Sequence, residues 1–210
     1  MFRSFSIALS GAALLGAAAL ANAQTLSAAD ILARVEQKVG GVNEYQALLN
    51  DPDPNRSMAA MEVMLDSGDS KLVRMALDYG IYSPNPVVQR MALEGFFASA
   101  PNLSLHFSGT EAAKESWYTN NISNYLKGSV DAAGDGFASI QAGKYDPEKK
   151  CYARADDETD CFVSLSDAGV SIVILKKQGS LKLNDNAELI GTITLPGVNN
   201  AVTLRIPVSN

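Results

Sequence analysis

The hydrophobic pattern of this chain changes its period near residue 101, and this change limits the folds open to it. Before residue 101, apolar residues recur at three- and four-residue spacing, which is typical of one face of a helix. After it, short segments rich in Val, Ile, Thr and Leu are separated by Gly, Pro, Asn and Asp. We therefore predict an α+β chain, with a helical domain over 24–100 and an antiparallel β domain over 101–210.

Residues 1–23 have the layout of a secretory signal peptide. Arg3 precedes an uncharged stretch rich in Ala and Leu, and the segment ends on small residues at 21–23. This layout predicts cleavage before Gln24 and export to the periplasm or the medium. A membrane anchor is the alternative, but an anchor needs about 20 strongly apolar residues. This apolar core is shorter and contains Ser and Gly.

The chain is acidic, with a formal net charge of −6 at pH 7. Binding to nucleic acid or to anionic lipid needs clustered Lys and Arg, so we expect neither as a partner. The segments after residue 23 predict no membrane span. The partner that we expect is another exported or envelope protein.

The segment SAADILARVEQKVGG, residues 27–41, predicts a helix that begins with a capping box at Ser27 and Asp30. Its apolar residues share one face and are Ile31, Leu32, Val35 and Val39. Gly40 and Gly41 predict the end of this helix. The apolar segment 45–49 predicts a second short helix, and the two would form a helical pair.

Two stretches of the chain start alike at an offset of 32 residues. DPDPNRSMAAMEVMLDSGDS begins at residue 51, and SPNPVVQRMALEGFFASAPN begins at residue 83. In each copy a residue that favours the N-cap, Asp53 or Asn85, precedes a proline at the first helical position, Pro54 or Pro86. The matched caps and the matched apolar positions that follow them indicate a duplication.

Between the copies, DSGD at 66–69 predicts a turn and KLVRMALDYG at 71–80 predicts another helix. This order of helix, tight turn, helix and proline-marked restart resembles a short HEAT-like repeat over about 50–100, with one full repeat and half of another. The resemblance implies stacked helix pairs and contact with another protein. Because a solenoid needs about three repeats to bury its faces, we expect the helices to form a compact pedestal for the β domain.

The β domain has five predicted strands, at 101–107 and in CFVSL, GVSIVIL, AELIGTITL and AVTLRIPV. The last strand places Val202, Leu204, Ile206 and Val208 on one face, and the loop 196–200 predicts a hairpin before it. GVSIVIL lacks alternation, which predicts a strand covered on both faces. The domain is expected to be a small antiparallel sandwich or barrel, with one helix at 110–123.

Cys151 and Cys161 are the two cysteines of the chain, and in an exported protein they predict one disulfide. Closing such a short loop is worth roughly 3 kcal/mol on the chain-entropy model. A redox pair is the alternative, but it favours closer thiols, as in C-x-x-C. The loop carries acidic residues at 156–158 and 160, which predict a solvated tip and, as the alternative, a calcium site.

The sequence contains no recognisable catalytic motif. His106 is the one histidine, so a multi-histidine zinc site is excluded, and no G-x-S-x-G elbow presents a serine to it. No Walker loop or dinucleotide fingerprint is present. We expect a non-enzymatic protein with no cofactor and no metal. A carboxylate-based hydrolase is a less favoured hypothesis, because paired acids leave no spacing signature.

The most ligand-like patch contains Trp117, Tyr118 and Tyr125, interleaved with asparagines. Aromatic faces beside amides suit a sugar or a peptide, although aromatic residues pack in cores as readily. The leading hypothesis is an exported protein that binds or scaffolds a partner. The alternative is a glycan or small-ligand module that uses the β domain and this patch.

Overall fold

The computed structural model describes residues 27–208, apart from the side chains of residues 37 and 38. The predicted signal peptide and its cleavage site lie outside the described residues. The chain divides into two compact units, Met1–Gly41 and Val42–Asn210. Within the described residues, none of the helices has the length and apolar character required to cross a membrane.

Five α-helices are described within this range. They are α1 (Ala28–Leu49), α2 (Pro54–Asp66), α3 (Ser70–Ile81), α4 (Pro86–Ala98) and α5 (Ser116–Asn120). The capping box at the start of α1 is confirmed, since the Ser27 hydroxyl accepts from the backbone N–H of Asp30 at 3.1 Å. The predicted helical pair is wrong, because α1 continues through Gly40 and Gly41 to Leu49. Neither glycine takes the left-handed conformation that ends helices.

The caps predicted from the two similar stretches are confirmed. Asp53 accepts from the N–H of Asn55 at the start of α2, and Asn85 accepts from the N–H of Val87 at the start of α4. The three helices then meet at Gly80 of α3. A Cβ at Gly80 would lie 2.4 Å from the Met61 side chain of α2 and 2.5 Å from Ala92 of α4. Close approach of the helices at this point therefore requires glycine.

Within residues 27–208, nine strands form one antiparallel sheet. They are β1 (Asn102–Ser108), β2 (Ser129–Val130), β3 (Gly136–Asp146), β4 (Cys151–Arg154), β5 (Asp157–Ser166), β6 (Gly169–Ile174), β7 (Lys177–Leu183), β8 (Glu188–Ile193) and β9 (Val202–Pro207). From β3 to β9 each strand pairs with the next, and β1 pairs with both β3 and β9. Eight strands thus close a barrel, and β2 adds to the start of β3. Of the two predicted architectures, the barrel is confirmed.

The barrel buries one side of its strands. In β9, Val202, Leu204 and Ile206 are fully buried, as their alternation predicts. In β6, buried residues alternate with half-buried ones. The prediction that β6 is covered on both faces is therefore wrong. Its sequence is apolar without interruption, but its outer face is only half-buried.

The segment between β1 and β3 is less regular than the single helix that was predicted there. It forms a 3₁₀ turn at Ala112–Lys114, then α5, then a π-helical turn at Asn121–Tyr125. Tyr118 and Ile122 from this segment are fully buried in the core.

The predicted disulfide is confirmed. Cys151 on β4 is bonded to Cys161 on β5, with the Cα atoms 5.6 Å apart. It links neighbouring strands and encloses the hairpin that carries the acidic residues. A disulfide is compatible with an extracellular location.

Tyr152 ties α4 to the barrel. Its ring lies 5.6 Å from the ring of Phe97 on α4, and its hydroxyl donates to the backbone carbonyl of Glu94 at 3.0 Å. Both side chains are buried. The helices α2–α4 and the barrel therefore share one hydrophobic core.

Candidate functional site

A groove of about 1050 Å³ lies between α4 and one end of the barrel. We call it the α4 groove. The helix supplies one wall, the turn between β5 and β6 supplies the other, and the end of β7 contributes Lys182 and Leu183. The apolar lining residues are Pro86, Val87, Met91, Leu93, Leu165, Val170 and Leu183. The groove thus combines an apolar floor with a charged rim.

Helical spacing explains the wall that α4 provides. Val87 and Met91 are four residues apart, and so are Arg90 and Glu94, so the two pairs form neighbouring rows on one side of the helix. That face borders the groove, whereas Phe97 and Ala92 pack into the core. Val87 remains 56% exposed, which leaves an apolar side chain in contact with solvent.

Arg90 bridges the two walls of the α4 groove. Its Nε atom lies 2.9 Å from Glu94 on the same helix, and its Nη1 atom lies 2.6 Å from Asp167 in the β5–β6 turn. The hydrogen bond that Arg90 donates to Glu94, followed by the negative charge of that carboxylate, raises the pKa of Arg90. Because Asp167 is 96% exposed, the bridge across the groove is a surface ion pair that can open.

Lys182 is the second cation of the groove. Within residues 27–208 its ammonium group makes no ion pair or hydrogen bond. It lies at the end of β7, in register with Ile190 of β8. The rim therefore has a paired region at Arg90 and an unpaired cation at Lys182.

The predicted aromatic patch is divided by the fold. Tyr118 is fully buried, and its hydroxyl donates to the carbonyl of Phe107 at 3.1 Å. Burial, followed by the charge of Asp135, raises the pKa of Tyr118 to about 12. Trp117 and Tyr125 are 50% and 60% exposed, so they stay on the surface while Tyr118 belongs to the core.

One face of Trp117 is already covered. A Cβ at Gly197, in the β8–β9 loop, would lie 2.9 Å from the Trp117 ring, so the indole rests against that loop. Glu115 fixes the same contact, because its carboxylate accepts from the backbone N–H groups of Asn199 and Asn200 at 3.0–3.2 Å. These backbone donors lower the pKa of Glu115.

Two acids of the hairpin enclosed by the disulfide are engaged by neighbouring residues. Asp156 pairs with Arg154 at 2.5 Å, and Asp157 accepts from the hydroxyl of Thr159 at 2.6 Å. Among the described residues, no group of three or more His, Cys, Asp and Glu side chains is placed to hold a metal ion. His106 is exposed, and its ring is perpendicular to that of Phe137, with the ring centroids 4.4 Å apart.

The α4 groove was missed by the sequence reasoning. Arg90 is far from Asp167 and Lys182 along the chain, and only the packing of α4 on the barrel brings their elements together. The exposed Val87, directly after Pro86, is the one local signal, because an apolar residue at the second position of a capped helix has no core-facing role.

No known protein family matches the chain, and neither a curated protein nor a solved structure matches it.

Proposed function

We propose that this chain is an exported, non-enzymatic binding protein whose α4 groove holds an amphipathic segment of a partner protein from the cell envelope. The groove carries the proposal: an apolar floor about 1050 Å³ in volume, with charges on its rim, formed jointly by the helices and the barrel. This volume lies at the upper limit of the range typical of small-molecule pockets, which is about 300–1000 Å³, and it can hold a peptide segment.

Recognition in the groove depends on side chains. The barrel is closed, so its strands have no long free edge to which a partner strand could add. An amphipathic helix that places apolar residues on the floor, near Met91, Leu165 and Leu183, uses the surface as it stands.

The rim charges define the polarity of the occupant. Glu94 and Asp167 both pair with Arg90, so this part of the rim has a net charge of −1. Lys182 is an unpaired positive charge on the rim. The segment therefore carries a basic side chain that faces Asp167 and an acidic side chain that faces Lys182. The two lie close together, because a Cβ at Gly169, two residues after Asp167, would lie 3.6 Å from the Lys182 side chain. The net charge of −6 favours encounter with a basic partner.

Two features of the sequence support the proposal. The recurring caps of α2 and α4, with α3 packed between them, are what a short HEAT-like repeat would show, and that resemblance implies contact with a protein. The layout of residues 1–23 and the disulfide both support export. The acids of the groove, Glu94 and Asp167, are engaged with Arg90 and not with each other, which favours binding over a carboxylate hydrolase.

A matched pair of variants tests the groove. Val87→Glu puts a charge on the apolar lining, and Val63→Glu puts the same charge at an exposed position of α2 outside the groove. The probes are two designed amphipathic helical peptides with the same apolar face. One has a basic and an acidic side chain beside that face, and the other has neutral side chains at the same two positions.

We expect anisotropy titrations to show tighter binding of the charged peptide. Val87→Glu should weaken it about tenfold or more, as expected for burying a charge against an apolar surface. Val63→Glu should leave it unchanged. Equal weakening by both variants, or no preference for the charged peptide over the neutral one, contradicts the proposal.

A second candidate function rests on the exposed rings of Trp117 and Tyr125. Asn120 and Asn124, which are bonded to each other at 2.7 Å, lie in the same segment, and aromatic faces with amides suit a glycan. Titration of the Trp117 fluorescence with cell-wall sugars and peptides tests this function. No spectral change, or an unaltered affinity in Trp117→Ala, would rule it out.

A further inference from the structure

Helix α1 carries an apolar face that is exposed to solvent. Spacings of three and four residues place five apolar side chains on one side of the helix, and each of them is between 42% and 59% exposed. They are Ile31, Leu32, Val35, Val39 and Val42, and we call them the α1 face. A single helix is marginal in water, and packing of its apolar face supplies most of its stability. The α1 face therefore calls for a partner surface.

We propose that the α1 face of one copy of this chain occupies the α4 groove of a second copy. The inference rests on the proposed function, because it names the amphipathic segment that the groove holds. Each copy offers one face and one groove, so a reciprocal exchange fills both grooves and closes a two-fold dimer.

The α1 face and the groove have the same length. Residues 86–94 of α4 line the groove and span about 12 Å at a rise of about 1.5 Å per residue. Residues 31–39 of α1 have the same rise, so the apolar side chains of this stretch extend along the whole helical wall. The floor near Met91, Leu165 and Leu183 then receives them.

The charges beside the α1 face match those on the rim. Arg34 and Glu36 directly precede and follow Val35, so they lie about 100° to either side of it on the helix. Among the described side chains, neither of them makes an ion pair. A seated helix that places Arg34 beside Asp167 also places Glu36 toward Lys182. The α1 face thus has the basic and the acidic side chain that the rim requires.

The segment that enters the groove is electrically neutral, although the chain is acidic. Residues 28–41 contain two acids and two bases, which are Asp30, Glu36, Arg34 and Lys38. Helices that bind anionic membranes carry an excess of Lys and Arg on the polar face, and this composition lacks it. The long-range repulsion between two acidic chains is screened beyond about 8 Å at physiological ionic strength, so contact in the groove depends on the local match.

Sedimentation velocity of the predicted exported form, residues 24–210, measures self-association at physiological ionic strength. We expect a dimer whose population rises with concentration. Val35→Glu in the α1 face and Val87→Glu in the groove should each weaken dimerisation about tenfold or more, because each buries a charge against an apolar surface. Both positions are exposed in the single chain, so circular dichroism should show folded variants. Val63→Glu, on α2 outside the groove, should leave dimerisation unchanged.

Mixing the two impaired variants distinguishes this contact from a contact between two α1 helices. The Val35→Glu chain keeps an intact groove, and the Val87→Glu chain keeps an intact α1 face. One complete contact therefore forms in the mixed dimer and none forms in either variant alone. We expect the mixture to associate more strongly than each variant by itself.

Charge reversal tests the predicted ion pair between copies. Glu36→Lys and Lys182→Glu should each weaken dimerisation about fivefold, and the double variant should restore it, as expected for an exposed pair of charges. Glu44→Lys is the matched control. Glu44 lies nine residues after Val35, on the opposite side of α1, so its reversal should have no effect.

A chain that stays monomeric at all concentrations overturns the inference. So does weakening by Val35→Glu without weakening by Val87→Glu, which would indicate pairing of two α1 helices, and so does a double charge variant as weak as the single ones. The proposed function fails or stands separately, on the designed peptides. Their binding to the groove of a monomeric chain would retain the groove as a peptide site and exclude a second copy as its occupant.

Discussion

The bundle of α2–α4 and the barrel bury their apolar side chains by different means. In the bundle, each helix is capped by a residue next to it, and neighbouring helices pack around Gly80. In the barrel, closure depends on pairing of β1 with β9, which lie at opposite ends of the β region. The bundle can therefore be weakened in small steps, whereas the barrel depends on contacts that form together.

The two regions also differ in how the guanidinium group of an arginine is hydrogen-bonded. Arg90 of the bundle is bonded to two carboxylates, and Arg205 of the barrel has a buried Nε atom with no partner in the described chain. One guanidinium is satisfied within the protein and can act as a movable bridge. The other keeps one buried donor without a partner in the described chain. Variants that change the stability of one region more than that of the other would test the difference between them.

The largest effect is expected at the joint between the regions. Phe97→Ala removes a fully buried ring that packs on Tyr152, so it should lower the free energy of unfolding by about 3–5 kcal/mol. Far-ultraviolet circular dichroism reports the helices, and the single tryptophan, which rests on the β8–β9 loop, reports the barrel.

If the two regions unfold as one unit, both signals shift together in Phe97→Ala. The control is Val63→Ala on the exposed side of α2, which should change stability by less than about 0.5 kcal/mol. A shift of the helical signal alone would show that the barrel remains folded when the bundle unfolds.

The disulfide should have the next largest effect, and it acts on the barrel. Replacing Cys151 and Cys161 together by serine should lower the free energy of unfolding by about 2–4 kcal/mol, mainly because the unfolded chain is released from a short loop. Denaturant unfolding measured with and without a reductant gives the same quantity for the unmodified chain. Stability that is unchanged by reduction would mean that strand pairing alone holds β4 to β5.

The two matching caps test the equivalence of α2 and α4. Asp53→Ala and Asn85→Ala each remove the side-chain acceptor of a helix start, and each should cost about 1 kcal/mol. Asn55→Ala, a change in the first turn of α2, is the control. A smaller cost at Asn85 than at Asp53 would show that α4 is held by the barrel more than by its own cap.

These caps show what could be predicted from the sequence. A cap is local: it needs one polar side chain and the two or three residues after it, so Asp53, Asn85 and the Ser27 box were predictable. The five predicted strands were likewise found from local composition and alternation. Strands β2, β3, β4 and β7 were missed. β2 and β4 have only two and four residues, and glycines and lysines interrupt the apolar alternation of β3 and β7.

The candidate sites could not be predicted, because they depend on which elements meet. Trp117 and Tyr118 look like one patch in the sequence, but neighbouring residues of a helix point about 100° apart, so only one of them can face the core. Arg205 and His106 are separated by most of the barrel in the sequence and become neighbours only when the sheet closes. Gly40 and Gly41 show the opposite error, because a local stop signal was overridden within α1.

Two buried tyrosines should make the protein sensitive to alkali. Burial raises the pKa of both Tyr118 and Tyr152 to about 12. A folded pKa above the unfolded value of 10 contributes stability that is fully present below pH 10 and is lost as the pH rises toward 12. Tyr152→Phe should reduce the loss of stability at alkaline pH, because one of the two buried hydroxyls is removed. It also removes the hydrogen bond to the Glu94 carbonyl, which is worth about 1 kcal/mol.

Stability measured between pH 8 and 12 by denaturant unfolding tests this expectation. Tyr125→Phe is the control, since that ring is exposed. An alkaline slope that is the same in Tyr152→Phe and Tyr125→Phe would show that the buried hydroxyl at the joint does not set it.

The smallest effect is expected on the acid side, at Glu115. Its carboxylate accepts from the backbone of Asn199 and Asn200, so its pKa is lowered in the folded chain. A lowered folded pKa contributes stability that is present above the unfolded value and is lost as the pH falls through the folded value. Glu115→Gln should therefore flatten the acid end of the stability profile and loosen the β8–β9 loop under Trp117.

Because Trp117 rests on that loop, its fluorescence in the folded state should shift in Glu115→Gln and stay unchanged in Glu111→Gln, whose carboxylate binds Lys114. An unchanged spectrum in both variants would mean that the indole, and not the carboxylate, holds the loop to the barrel.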